Sequence, residues 1–333
     1  MIDRSPSGCT QSFEWAPHGT PRGPATTGFR HLSGETVGWA PAGSLRLEGV
    51  QRMRLVNMED RMGLDVGGRF VDLELHSGNR FSSDPMAVFQ NWRELKEWAS
   101  EQTAGDSGPL VDVARLGAPV PTPAQVFAIG LNYRDHAEEA NLPIPDVPMV
   151  FTKFPSCIVG PQAEVPLTGQ RVDWEVEQVV VIGQETEAVP ASQAWDHVAG
   201  MMVGQDISDR GLQFASRPPQ FSLGKSATHF GPTGPALVSL DEFPDPDAIG
   251  LRCWVDGEQM QDSNTRNLIF GVPELIEYLS RYCVLSPGDL IFTGTPGGVG
   301  SVREPRRYLA EGELVESEID GIGRLSNRCV ARA

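Results

Sequence analysis

The segment Asp173-Trp-Glu-Val-Glu-Gln-Val-Val-Val-Ile-Gly183 constrains the fold more than any other stretch of the 333 residues. Its second half has the composition of a buried strand and ends on a glycine turn. Side chains alternate along a strand, so Glu175 and Glu177 share a face with Val179 and Val181. Trp174, Val176, Gln178 and Val180 take the other face. Carboxylates in the same row as core valines belong at the inner end of a pocket, where burying their charge requires a cation. A solvated strand end is the alternative. Ligation by oxygen alone favours Mg2+ or Mn2+, and admits Ca2+. Asp206 is the candidate third ligand, at a strand-to-helix junction after Met201-Met-Val-Gly-Gln205; taken by itself it reads as a helix N-cap.

The rest of the composition narrows the function classes. There are 27 basic and 44 acidic side chains, a formal net charge of −17. That balance argues against a general nucleic-acid binder or docking on anionic lipid. No apolar run approaches the roughly 20 residues that span a bilayer, and the first residues lack a signal-peptide core. The five cysteines include no CxxC pair, which disfavours a disulfide framework or a structural zinc site. A cytoplasmic protein with reduced thiols is expected.

Along the chain, residues 1–50 are rich in Gly, Pro, Ser and Thr and read as a flexible extension. Residues 53–120 read as a small α+β domain, with strands near Met53, Met62 and Phe70. In that domain a helix starts at Asp84-Pro85 and runs to about Gln102, and Leu110-Val-Asp-Val113 offers one more strand. Residues 125–330 read as a larger, β-rich domain. Strands are expected there at 126–130, 172–182, 235–240, 250–256 and 289–293, and helices at 133–141, 191–197 and 273–283. The alternation is too irregular for a doubly wound sheet.

Three further segments carry reactive side chains. His136 and Glu139 are three apart on the expected helix, so they share a face, and a carboxylate there can orient an imidazole for general-base work. A mixed-charge surface helix has the same spacing. Gly224-Lys225-Ser226 is not a phosphate loop, because position 219 is Pro where that motif needs Gly. Lys225 stays available as an oxyanion donor. Thr293-Gly-Thr-Pro-Gly-Gly-Val-Gly300 offers backbone amides to an anion, but lacks the dinucleotide spacing.

Taken in order, five blocks make the chain resemble the fumarylacetoacetate hydrolase family. They are Gly130-Leu-Asn-Tyr-x-x-His-x-x-Glu139, Asp173-Trp-Glu-Val-Glu177, Gly204-Gln-Asp-Ile-Ser-x-Arg-x-x-Gln213, Gly224-Lys-Ser226 and Pro287-Gly-Asp-Leu-Ile-Phe-Thr-Gly-Thr-Pro-Gly-Gly-Val-Gly300. The resemblance covers about 53–330 and implies a rolled, mixed β-sheet catalytic domain behind a small N-terminal domain. It implies a homodimer, a Mg2+ or Mn2+ ion on Glu175, Glu177 and Asp206, and His136 with Glu139 as the catalytic pair. It places Lys225 and Gln213 at the reacting carbonyl, and Arg210, Thr295 and Tyr133 as substrate contacts. This sequence departs from the family pattern at Gln178, Phe154 and Ala227-Thr-His229, which bears on the pocket lining.

The expected function is hydrolysis of a C–C bond in a 2,4-diketo acid such as an acylpyruvate, by water activated at His136 and Glu139. The alternative is decarboxylation, isomerisation or hydration of a 2-oxo (di)acid of aromatic catabolism at the same metal site. A non-catalytic binder of oxo-acids is the third reading.

Overall fold

In a computed structural model, residues 53–102 and 108–332 are described; the expected extension over 1–50 lies outside them. The acidic segment sits inside an 11-stranded sheet. Its strand, Val176–Ile182, is buried at all seven positions. It pairs antiparallel with Val198–Gln205 on one side and Leu290–Phe292 on the other. Beyond Val198–Gln205 come Gly231–Val238 and then Arg54–Met58, so strands from the N-terminal segment extend the same sheet. Arg61–Val66 and Arg69–Asp72 complete that side. On the other side, Leu290–Phe292 runs parallel to Val126–Gly130, and Met149–Thr152 forms the edge. The sheet is therefore mixed, in a β-rich α+β fold.

A second sheet of five strands covers it. Four of them, Gly250–Val255, Glu258–Asn264, Leu314–Ile319 and Gly323–Ala331, pair antiparallel, and Val165–Leu167 joins in parallel. Leu314–Ile319 alternates half-buried and buried residues, as a strand with one face on a core must. The buried row packs on the first sheet, and Gln205 Nε2 reaches across to Ser317 Oγ at 2.9 Å. Among the described residues no helix is long and apolar enough to cross a membrane.

Several expected elements form with altered bounds. The strand expected over 172–182 is two strands, Val172–Asp173 and Val176–Ile182. The break has a cause: Glu175 N–H bonds the side-chain oxygen of Gln205 at 2.9 Å rather than a ladder carbonyl. The strand expected at 235–240 forms as Gly231–Val238, starting within a Gly- and Pro-containing run. The helix at 133–141 shortens to Arg134–Glu139, and Ala191–His197 is a 3-10 helix. The helical pattern before Gln102 splits into a 3-10 turn, Ala87–Asn91, and an α-helix, Trp92–Ser100. Leu110 makes only an isolated bridge to Arg69.

Candidate active site

Register brings the acidic groups together. Val176 pairs with Gln205 and Glu177 with Gly204, so the chain leaving Gln205 sets Asp206 beside Glu175. Asp206 N–H then donates to the Glu175 carbonyl at 2.9 Å. Glu175, Glu177 and Asp206 are all buried, and each offers a carboxylate oxygen within 4.8 Å of the others. The expected acidic pair and Asp206 as its third member lie together in space. Asp206 is not an N-cap; Asp209 caps the next short helix through Leu212 N–H.

Three cations surround this set. Lys225 Nζ lies 2.5 Å from Glu175 Oε2, 2.6 Å from Asp206 Oδ2 and 2.8 Å from Ser208 Oγ. Arg210 donates to Glu175 Oε1 at 2.6 Å, to Asp173 Oδ2 at 2.8 Å and to Gln213 Oε1 at 2.9 Å. The third cation, Lys153, was missed in the sequence. It is buried, and its Nζ donates to Asp206 Oδ1 at 2.7 Å, to the Phe230 carbonyl at 3.1 Å and to the Lys225 carbonyl. It follows the edge strand directly, and no periodicity marks such a lysine as buried.

These contacts split the carboxylates. Burial alone would raise the Glu175 pKa, but Lys225 and Arg210 outweigh it and hold it at about 2. Glu177 accepts one bond, from Gly294 N–H at 2.8 Å, and makes no ion pair among the described residues. Burial, with Asp206 and Glu175 nearby, pushes its carboxyl well above the usual range. The Tyr133 hydroxyl is also buried without a hydrogen-bond partner; burial and then the charge of Glu177 drive its pKa up. An all-oxygen set with one uncompensated carboxylate and an orphaned hydroxyl beside it fits a hard divalent cation. Glu175, Glu177 and Asp206 would hold it.

The loop after Leu290–Phe292 ties this set to the helix Arg134–Glu139. At its start, Gly294 N–H holds Glu177. At its end, Gly300 and Ser301 N–H bind Asp173 at 2.7 and 3.0 Å. Between them, Gly298 N–H donates to Glu139 Oε2 at 2.7 Å. Asn132, ahead of the helix, donates to the Thr293 carbonyl at 2.8 Å, and Ser263 Oγ fixes Asp135 Oδ2 at 2.6 Å. His136 Nδ1 is 4.0 Å from Glu139 Oε2, too long for a hydrogen bond, and is buried with no hydrogen-bond partner. His136 lowers the Glu139 pKa against the effect of burial, with the Gly298 amide and the Arg303 charge adding to it.

Two of the expected contacts are engaged within the protein. Thr295 Oγ1 donates to the Val176 carbonyl at 2.9 Å and accepts from Gln261 Nε2 at 2.8 Å. Its proton therefore holds the loop to the acidic strand. Arg210 is spent on Asp173, Glu175 and Gln213. Gln205 and Gln261, which accept from the adjacent Glu175 and Val176 N–H groups at the start of the acidic strand, were not visible as site residues; a buried glutamine carries no motif.

A buried acidic triad, paired with lysines and floored by a mixed sheet, defines a candidate divalent-metal site. The chain belongs to the fumarylacetoacetate hydrolase family: the model for the fumarylacetoacetate (FAA) hydrolase C-terminal region matches residues 125–330. It is 37% identical over 308 residues to the mitochondrial oxaloacetate tautomerase fahd2 of Xenopus laevis, covering 90% of this chain and 94% of that one. Maleylpyruvate hydrolase from Sphingobium sp. SYK-6, solved with manganese(II) and pyruvate, superposes with a TM-score of 0.70 at 26% identity, covering 84% of this chain and 100% of that one. The 2-hydroxyhepta-2,4-diene-1,7-dioate isomerase of Mycobacterium marinum gives a TM-score of 0.64 at 29% identity, covering 85% and 99%.

Proposed function

We propose that this enzyme interconverts the enol and keto forms of a small 2-oxo diacid of the oxaloacetate type. The observation that carries the reading is the half-buried His136 imidazole, whose buried Nδ1 has no hydrogen-bond partner among the described residues. Tautomerisation needs one group that takes a proton at one atom and returns it at another, and an unengaged imidazole suits that task. Likeness to the Xenopus tautomerase across nine-tenths of the chain supports the same reading.

A divalent ion held by Glu175, Glu177 and Asp206 would supply Lewis acidity to a 2-oxo-carboxylate. The protein's own residues do the rest. Lys225 and Arg210 keep Glu175 ionised, and Lys153 and Lys225 hold Asp206. Gln213, with its carbonyl oxygen on Arg210, keeps its amide N–H groups for an oxygen of the substrate. His136 carries the proton between the substrate's 2-oxygen and carbon 3. Glu139, held by the Gly298 amide, stays anionic beside His136.

Hydrolysis of a 2,4-diketo acid is the second reading, favoured by the likeness to maleylpyruvate hydrolase. It requires His136 and Glu139 to act together on a water, and their 4.0 Å separation would have to shorten. A homodimer is proposed with either reading; Met149, Val150 and Phe154, exposed along the sheet edge, offer an apolar contact surface.

The test is to mix purified protein and Mg2+ with freshly dissolved enol-oxaloacetate and follow loss of the enol absorbance, with carbon dioxide measured in parallel. Acetylpyruvate is offered separately, with acetate quantified. Accelerated ketonisation without carbon dioxide or acetate supports the tautomerase. Acetate release moves the assignment to the hydrolase, and carbon dioxide to a decarboxylase.

A further inference from the structure

Glu139 sits at the end of a six-residue helix and is one-third exposed, so its own helix does little to aim it. What aims it is the Gly298 peptide. Gly298 N–H donates to Glu139 Oε2 at 2.7 Å, while the Gly298 carbonyl accepts from Trp174 Nε1 and from Arg303 Nε, each at 3.2 Å. Arg303 Nη2 donates to the Met260 carbonyl at 2.9 Å, and its guanidinium lies 6.0 Å from the Trp174 ring centre. Arg303 thus spans the loop and the second sheet, gripping one carbonyl on each. It makes no ion pair among the described residues. A groove of about 710 Å³ runs beside it, lined by Glu139, Val302, Arg303, Glu304, Pro305 and Arg307.

We propose that Arg303 is the positioning residue for Glu139, acting through the Gly298 peptide and through its own charge along the shared groove. This rests on the acid–base role given above to His136 and Glu139. The groups around Glu139 are few. His136 and Asp135 come from its own helix, with Asp135 already held by Ser263. Gly298, Arg303, Glu304 and Arg307 face it from the loop. Arg307 is paired with Glu313 at 2.6 Å, whereas Arg303 makes no ion pair among the described residues, with Glu304 lining the same groove. Its nearness acts with His136 and the Gly298 amide to keep Glu139 ionised.

The test compares the wild type with R303K and R303Q. The ionisation midpoint of Glu139 is read without substrate, by carboxyl NMR of protein labelled with 13C-glutamate, the Glu139 signal being the one absent from E139Q. The expected order of midpoints is wild type lowest, R303K next, R303Q highest, because lysine retains the charge and loses the two-carbonyl grip. The acid limb of kcat/KM should move to higher pH in the same order, and kcat/KM at neutral pH should drop by about tenfold in R303Q. Mn2+ affinity should stay unchanged. Equal midpoints in all three proteins would overturn the proposal, as would a shift in Mn2+ affinity that accounts for the whole loss of rate. If R303Q fails to fold, the wild type against R303K decides: a displaced Glu139 midpoint supports the proposal, an unchanged one overturns it. A displaced midpoint in an enzyme inert toward oxaloacetate and acetylpyruvate would leave the link between Arg303 and Glu139 standing and remove the functional reading instead.

Discussion

Lys153 and Lys225 bind opposite oxygens of one carboxylate, Asp206, at 2.7 and 2.6 Å, and Lys153 also donates to the backbone carbonyl of Lys225. The two ammonium groups are therefore a unit. Lys153 fixes the backbone from which Lys225 reaches Glu175. Lys153→Met removes the donor to Asp206 Oδ1 and to two buried carbonyls at once. Breaking a buried pair from one side costs about 3–5 kcal/mol, mostly from the charge left behind. Denaturant unfolding should show a loss of that order, with part of it recovered in a K153M/D206N double variant, where the stranded charge is gone.

Divalent-ion binding should depend on pH with a definite sign. Burial, Asp206 and Glu175 push the Glu177 carboxyl well above its ordinary value, so an incoming cation must displace its proton. Mn2+ affinity should therefore rise with pH until Glu177 is ionised, with proton release measurable by calorimetry in two buffers of different ionisation heat. In the ion-free protein the folded state keeps this proton to higher pH than the unfolded chain does. The contribution to stability is then full below the unfolded value, near 4.5, and is lost as pH rises through the folded one. Added Mg2+ should reverse that loss and stabilise the folded state by mass action, by about 2.7 kcal/mol at a concentration 100 times Kd, read as a higher melting temperature. A melting temperature indifferent to Mg2+ and to chelator would remove the metal assignment.

His136→Ala should reduce turnover by about 10²–10⁴-fold, the usual contribution of a positioned acid or base. Mn2+ affinity should remain close to that of the wild type, because His136 is not among the three carboxylate ligands. Loss of Mn2+ binding in this variant would contradict the division of roles between helix and strand.

Gly298→Ala should destabilise the protein. The residue has φ +102, and an added Cβ would fall 2.1 Å from the Met260 carbonyl oxygen. Gly312 is a matched control, with φ +88 and open space around it. Its replacement carries the backbone cost alone, about 1 kcal/mol or a little more. Chemical denaturation of G298A and G312A should differ clearly, and G298A should also lose activity, since its amide holds Glu139.

Much of the site was legible along the chain because strand alternation is local. Two glutamates separated by one residue, running into buried valines, must face one side of a sheet. The strands Val126–Gly130 and Gly250–Val255 were legible for the same reason, being short apolar runs bounded by turn residues. The strands Glu258–Asn264, Leu314–Ile319 and Gly323–Ala331 were not. Their outer faces are polar and charged, as in Glu-Gln-Met-Gln-Asp-Ser-Asn264, and local propensity does not favour such a row as a strand. Leu314–Ile319 and Gly323–Ala331 become strands by pairing with each other, and Glu258–Asn264 by pairing with Gly250–Val255.

The sequence by itself determined the acidic pair, its third member, the His136–Glu139 spacing and the family resemblance, because each rests on spacing within one element or on the order of short motifs. Only the tertiary structure decided that Lys153 closes the cation set, that Gln205 and Gln261 clasp the acidic strand, that Thr295 spends its proton on the backbone and that Arg303 reaches Gly298. Apart from Arg303 and Gly298, five positions apart, those contacts join residues dozens to more than a hundred positions apart. Burial removes water as an alternative partner, so a long-range hydrogen bond or ion pair becomes obligatory once the sheets have packed.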